Sequence, residues 1–141
     1  MNKPFCFSKA PQCVLLVLTT LLFAGAAHAE WIQFGRTTDF RIYLDQRLIS
    51  KNGDYAQMWQ LMDFTVAQWA DAQTAVGSIK TLVEYDCAQP RSRALLGEAY
   101  TEQMGAGRLV SSERVAEPQW EAIEVGSNPD KMQKIACGKK P

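Results

Sequence analysis

Histidine is almost absent from this sequence: the 141-residue chain has one, His28. The rest of the chain therefore lacks the imidazole required by Ser-His-Asp and Cys-His sites and by most zinc and copper sites. We predict no catalytic residue, metal ligand or cofactor. The enzymatic alternative is a carboxylate-dependent hydrolase that uses two of five aspartates: Asp39, Asp45, Asp54, Asp63 and Asp86. Against it, Asp54 falls in a turn, and Asp45 and Asp63 are interpreted as solvated charges on strand faces.

The sequence also lacks a hydrophobic run long enough for a permanent membrane span. Its longest apolar segment, residues 14–23, has ten residues, whereas a spanning helix needs about 20. Lys3 and Lys9 precede this segment and Ala27-His28-Ala29 follows it, which predicts a secretory signal peptide over residues 1–29 and a single domain over residues 30–141. No cysteine stands at the first mature position, so we expect no stable membrane anchor after cleavage. The alternative is an uncleaved anchor.

Clustered basic charge is missing as well. Removing residues 1–29 takes away two lysines and no acid, which leaves 13 basic and 15 acidic residues and a net charge of −2. The arginines are dispersed among acids, and this pattern predicts no nucleic-acid partner. A charge so close to zero offers little repulsion against a homodimer formed through an unpaired sheet edge.

Cysteine is scarce, and half of it precedes the predicted cleavage site. Cys6 and Cys13 belong to the signal peptide, so Cys87 and Cys137 remain. Two cysteines in an exported chain are expected to form an intramolecular disulfide, because the compartment is oxidising. An intermolecular disulfide or a reactive thiol is the alternative. No Cys-x-x-Cys motif is present, which leaves thiol oxidoreductase chemistry without a motif.

Residues 78–87 have the alternation of a central β-strand. Every second side chain shares one face, and these are Ile79, Thr81, Val83, Tyr85 and Cys87. We assign this face to the core, which directs the Cys87 thiol inward. A bond to Cys137 would then fold the C-terminal tail back over the inner face of the sheet.

Five other segments are predicted to be strands: residues 31–35, 40–45, 55–65, 91–103 and 108–112. Asn52-Gly53 predicts a tight turn between two of them. Residues 66–77 are rich in Ala and Gln and lack alternation, so we interpret them as a long loop with at most one helical turn. Residues 118–123 are expected to leave the sheet. Six short strands with brief connections predict an α+β, mainly β fold built on an antiparallel meander.

The C-terminal segment has the start and stop signals of a short helix. Asn128 is predicted as the N-cap with Pro129 at the first helical position, and Gly138 ends a helix that runs to about residue 136. Met132 and Ile135 lie on its apolar side. At about eight residues the helix cannot stand alone. We therefore expect it to dock on one sheet face, tethered by the disulfide.

Several of these residues, in this order and spacing, resemble the surface-adhesin protein E family. They are Trp31, residues 58–63, residues 84–87, Arg93, Tyr100, residues 120–123, residues 126–127 and Cys137. The resemblance implies a curved antiparallel sheet with a disulfide-tethered C-terminal helix. For the founding member of the family it also implies binding to host matrix and serum proteins.

These observations favour an exported, non-enzymatic protein-binding domain in the periplasm or at the cell surface. Its partner would be a host matrix or serum protein, or an envelope protein. Trp69 is the candidate contact residue, because residues 66–77 otherwise lack large aromatic side chains. The alternative for Trp69 is packing back onto the core. The alternative function is a periplasmic structural or envelope-maintenance protein.

Overall fold

The structure, a computed structural model, describes residues 30–141. The predicted signal peptide lies outside the described residues. Six strands form one antiparallel sheet in meander order. They are β1 (Trp31–Arg36), β2 (Phe40–Asn52), β3 (Tyr55–Trp69), β4 (Ala75–Asp86), β5 (Arg91–Tyr100) and β6 (Leu109–Arg114). The predicted α+β, mainly β meander is confirmed.

Two further elements complete the fold. A two-residue strand, β7 (Glu121–Ala122), pairs with the start of β5, and helix α1 (Asn128–Cys137) ends the domain. No helix among residues 30–141 is both long enough and apolar enough to cross a membrane.

The predicted Asn-Gly turn joins β2 to β3. Asn52 pairs with Tyr55, and Gly53 has a φ of +59°, a left-handed conformation that glycine adopts without a steric cost. From this turn the two strands run side by side as far as the Phe40–Phe64 pair. β3 lies in the middle of the sheet, as its large side chains on both faces predict.

The core lies between α1 and the face of β2, β3 and β4 that carries the alternating apolar residues. Its buried members are Leu44, Ala56, Met58, Tyr85, Ile123, Met132 and Ala136. Val83, Cys87 and Ile135 are partly buried against this cluster. The predicted inward face of residues 78–87 is therefore the helix-covered face over Val83, Tyr85 and Cys87, whereas Ile79 and Thr81 lie outside this cluster.

The helix begins one residue earlier than the sequence predicts. Ser127 is the N-cap, because its hydroxyl accepts a hydrogen bond from the Asp130 amide, and Asn128 is already the first helical residue. Gly138 ends the helix in the left-handed conformation, as predicted. Ser127 and Asn128 are both suitable N-cap residues. Ser127 takes this position because its backbone is extended, whereas Asn128 is already helical.

The disulfide joins the end of β4 to the last residue of α1. Cys87 and Cys137 are bonded, with 5.6 Å between their Cα atoms. Lys139 reinforces this junction, because its Nζ donates to the Cys87 carbonyl at 2.8 Å. The side-chain amide of Gln133 donates to the carbonyls of Asp86 and Gln89. The helix is thus tethered to one face of the sheet, as predicted.

Several predicted segments differ from the structure, and β2 extends to Asn52 rather than ending at residue 45. Residues 66–77 are not a long loop, because β3 continues to Trp69 and β4 starts at Ala75. The strand predicted over residues 91–103 stops at Tyr100 and is followed by a short 3-10 turn, Gln103–Gly105.

Residues 118–123 do not leave the sheet. Trp120 stacks on Tyr55 with 5.6 Å between ring centroids. The guanidinium groups of Arg91 and Arg93 lie 4.8 and 4.2 Å from the Trp120 ring centroid. This packing holds the segment against the sheet, where β7 can pair with β5.

Candidate protein-binding surface

The C-terminal end of β3 and the N-terminal end of β4 project beyond their outer neighbours, β2 and β5. β2 makes its last pair with β3 at Phe40–Phe64, and β5 makes its last pair with β4 at Tyr100–Ser78. After a register shift between Asp63 and Gln68, β3 and β4 pair again at Gln68–Val76 and Trp69–Ala75, without a third strand among the described residues. We call residues 65–77 the projecting ribbon. The ribbon exists because β3 continues past its pairing with β2, and β4 starts before its pairing with β5 begins.

The ribbon carries two large apolar side chains in solvent. Val66 is 72% exposed and Trp69 is 70% exposed. Trp69 is therefore not packed onto the core, and it belongs to a strand rather than to a loop. Its role as a partner contact stays a prediction.

The tip of the ribbon is closed by its own hydrogen bonds. The Ala70 amide donates to the Thr74 carbonyl at 2.9 Å, and the Gln73 amide donates to Asp71 Oδ1 at 2.8 Å. The Gln73 hydrogen bond, followed by that of the Thr74 side chain, lowers the pKa of Asp71. The tip therefore holds the Asp71 carboxylate in a fixed turn, two positions after the exposed Trp69.

The base of the ribbon is fixed to the turn that follows β5. Ser78 donates from its hydroxyl to the Glu102 carbonyl at 2.6 Å and accepts from the Gly105 amide at 2.9 Å. The Asp63 carboxylate accepts from the Met104 amide at 2.6 Å. These contacts orient the ribbon relative to the sheet, so its exposed side chains start from a rigid base.

Two surface pockets lie on either side of the ribbon base and share Phe64. One, of about 410 Å³, is lined by Phe64, Ala67, Gly77, Thr101, Glu102 and Gln103. The other, of about 420 Å³, is lined by Thr38, Asp39, Phe40, Phe64, Val66 and Gln68. Their volumes fall in the range of about 300–1,000 Å³ typical of ligand pockets. Phe64 and Val66 were not predicted as contact residues, because the alternation of one strand does not show where its neighbouring strands end.

The five aspartates of the hydrolase alternative are placed differently from one another. Asp39 and Asp54 are exposed, and Asp54 occupies the β2–β3 turn as predicted. The interpretation of Asp45 and Asp63 as solvated charges is wrong, since they are 0% and 1% exposed. They lie on the face opposite the helix, which other parts of the chain also cover.

Asp86 is occupied by structural contacts. Burial raises the pKa of its carboxyl, but hydrogen bonds from the Ala88 amide and from the Arg91 and Gln89 donors outweigh burial and lower that pKa. Arg91 also forms an ion pair with Asp86 at 2.8 Å. Within residues 30–141, no cluster of three or more acidic, Cys or His side chains has the geometry to hold a metal ion.

Solved structures with the same fold come from Haemophilus influenzae. Crystal form II of its protein E matches with a TM-score of 0.63 and 12% identity, over 80% of this chain and 91% of that chain. A structure of protein E from a non-typeable strain matches with a TM-score of 0.60 and 11% identity, over 81% of this chain and 79% of that chain. At such low identity the likeness shows the fold.

The family comparison covers nearly all of the described domain. No curated protein matches the sequence significantly. Residues 31–138 match the family described as surface-adhesin protein E, which confirms the resemblance predicted from the sequence. The chain belongs to the surface-adhesin protein E family.

Proposed function

We propose that this chain is an exported, non-enzymatic domain that binds another protein through the projecting ribbon. The partner is a host matrix or serum protein, or an envelope protein, and binding takes place in the periplasm or at the cell surface. The observation that carries the proposal is the exposure of Val66 and Trp69 on a hairpin that extends past its neighbouring strands. Membership of the adhesin family supports the same conclusion.

The ribbon offers two means of recognition. On the β3 side, residues 66–69 have no neighbouring strand on their outer side among the described residues, so this stretch can pair with an extended segment of the partner. The β4 side is closed, because Val76 and Gly77 are buried. Side chains of that segment would then enter the pockets beside Phe64. Backbone pairing supplies affinity in this arrangement, whereas the pockets and Trp69 supply selectivity.

The test compares two exposed valines. Val66 lies on the ribbon and Val125 lies in the turn before α1, 72% and 80% exposed. Wild type, Val66→Ala, Val125→Ala and Trp69→Ala are passed over immobilised matrix proteins, serum proteins and purified envelope proteins in a surface plasmon resonance assay. We expect Trp69→Ala to weaken binding about tenfold or more, as for an aromatic hot spot. Val66→Ala should weaken it less, and Val125→Ala should leave it unchanged.

Circular dichroism of each variant checks the fold. Equal binding by Trp69→Ala and wild type would exclude the ribbon tip as the contact. A loss of binding in Val125→Ala equal to that in Val66→Ala would assign the effect to nonspecific adsorption of exposed apolar side chains.

A structural or envelope-maintenance role through homodimerisation is the second candidate. It is favoured by the open edges of the sheet, because β1 and β6 each pair with one strand among the described residues. Light scattering on size-exclusion fractions distinguishes it from the first. A dimer that dissociates when proline replaces Ser111 in β6 would support this role, whereas a monomer at millimolar concentration would exclude it.

A further inference from the structure

A further pocket lies on the sheet face opposite α1, away from the projecting ribbon. It has a volume of about 170 Å³ and is lined by Trp31, Asp45, Leu48, Trp59, Lys80 and Glu98. These residues come from five consecutive strands, which shows that this face is concave. We call it the tryptophan pocket.

Asp45 is the most unusual residue of the tryptophan pocket. It is fully buried, and it pairs across the sheet with Trp31 on one side and Trp59 on the other. Its Oδ1 accepts hydrogen bonds from the Arg47 and Leu48 amides at 3.0 and 3.2 Å. Its Oδ2 is buried and has no hydrogen-bond partner among residues 30–141. An unpaired buried carboxylate oxygen is costly, so a donor at this position would be strongly favourable.

The other charged groups of the pocket leave Asp45 without a cation. Lys80 forms no ion pair with any described residue, and its Nζ lies 4.6 Å from the Tyr100 ring centroid and 6.0 Å from that of Trp31. Glu98 accepts a hydrogen bond from the Tyr100 hydroxyl at 2.8 Å. Asp45, Glu98 and Lys80 together have a formal net charge of −1, which one monovalent cation would neutralise.

We propose that the tryptophan pocket binds one primary ammonium or guanidinium group. The ligand would displace the side chains that bury Asp45 Oδ2, donate a hydrogen bond to that oxygen and lie against the indole faces of Trp31 and Trp59, which attract cations. The volume of about 170 Å³ is below the range of about 300–1,000 Å³ for drug-sized ligands. It therefore admits the end of one chain, either a small free amine or a basic side chain of a protein.

The chemistry of the pocket selects this ligand over a metal ion or an anion. Asp45 and Glu98 are its only carboxylates, and the described part of the chain contains no group of three ligands suited to a metal. An anion would meet two carboxylates and a single lysine. The tryptophan pocket is separate from the projecting ribbon, so this inference does not rest on the proposed protein-binding function.

The four tryptophans make the experiment internally controlled. Trp31 and Trp59 line the pocket, whereas Trp69 and Trp120 lie elsewhere. Wild-type protein is titrated with butylammonium and with a capped Gly-Gly-Lys-Gly-Gly peptide, and the indole N–H signals are followed by NMR. We expect the Trp31 and Trp59 signals to shift with a Kd of about 1–10 mM, the affinity of a single weakly held group. The Trp69 and Trp120 signals should not shift.

Neutral ligands and matched variants test the role of charge. Butanol and a capped peptide with norleucine in place of lysine should not bind. Asp45→Asn should weaken binding about tenfold or more, the effect of losing one charged hydrogen bond. Asp71→Asn is its control, because Asp71 makes a similar carboxylate-to-backbone turn at the ribbon tip. Lys80→Met should strengthen binding by removing a like charge from the pocket.

The two ligands separate the two sources of the cationic group. Binding of the lysine peptide at least as tight as that of butylammonium would identify a basic side chain as the source, and binding of butylammonium alone would identify a free amine. Should Asp45→Asn fail to fold, Glu98→Gln replaces it with the same expected direction. Absence of shifts at 100 mM ligand, equal shifts in all four indoles, or equal binding by butanol would overturn the proposal.

Discussion

Removing the Cys87–Cys137 disulfide should destabilise the domain by up to about 4 kcal/mol. The two cysteines are 50 positions apart, and the chain-entropy model gives about 4 kcal/mol for a closed loop of this length. The bond acts mainly on the unfolded chain, so the folded contacts of α1 do not replace its contribution. A domain of this size has a total stability of about 5–15 kcal/mol, so the loss is large.

The perturbation is the double variant Cys87→Ala/Cys137→Ala, with wild type in reducing agent as its chemical match. We expect the two to have equal unfolding midpoints, lower than that of oxidised wild type by about 15–25 °C. At moderate temperature both should remain folded. Met132 and Ala136 still cover the core, and Gln133 still donates to the carbonyls of Asp86 and Gln89.

Hydrogen exchange shows where the structure opens first. Without the bond, α1 can undock while the strands stay paired, so residues 129–141 should lose protection before β2, β3 and β4. Uniform loss across the strands would mean that the bond supports the whole fold. Mass spectrometry of non-reduced peptides checks the bond itself, and two free thiols or a Cys87–Cys87 link in protein from its native compartment would refute the reasoning.

Two further predictions concern backbone packing and acid stability. A Cβ at Gly77 would lie 2.5 Å from the Glu102 backbone carbon, whereas a Cβ at Gly97 meets nothing within 4 Å. In urea unfolding, Gly77→Ala should therefore cost about 1–3 kcal/mol and Gly97→Ala should be neutral or stabilising by about 0.5–1 kcal/mol; equal effects would contradict the packing. Burial raises the pKa of Asp86, but the hydrogen bonds that its carboxylate accepts outweigh burial and lower this pKa. The pKa of Asp130 is lowered by the hydrogen bond from the Gly126 amide and then by Lys134. A lowered folded-state pKa stabilises the fold above the unfolded value of about 4 and loses that effect as pH falls, so urea midpoints should drop between pH 5 and pH 2. The drop should be smaller in Asp86→Asn, and an unchanged slope would exclude Asp86 as a cause.

The faces of the sheet and the position of the helix could be predicted from the sequence. Alternation along each strand places Leu44, Met58 and Tyr85 on one side, because successive side chains of an extended chain point in opposite directions. Pro129 and Gly138 mark the ends of the helix through backbone preferences that act locally. The pairing of Cys87 with Cys137 followed from the small number of cysteines and from the expected export.

Neither candidate site could be predicted in the same way. The projecting ribbon depends on where β2 begins and where β5 ends. Turns elsewhere in the chain set these two positions. Residues 66–73 are exposed and only Val76 and Gly77 are buried, so this paired ribbon has the composition of a loop. The sequence identified Trp69 as the aromatic residue of this segment, and the structure showed that its indole is in solvent.

Asp45 shows most clearly what could not be predicted from the sequence. Asp45 follows Leu44 in β2 and therefore points to the other face of the sheet, which predicts a charge in solvent. This prediction would be correct for a flat sheet with one covered face. The concave face instead brings side chains of five strands together around Asp45. Alternation is a local property of each strand and specifies which residues share a face, whereas curvature arises from the twist and pairing of all the strands. Only the tertiary structure could decide that this carboxylate is buried between two tryptophans.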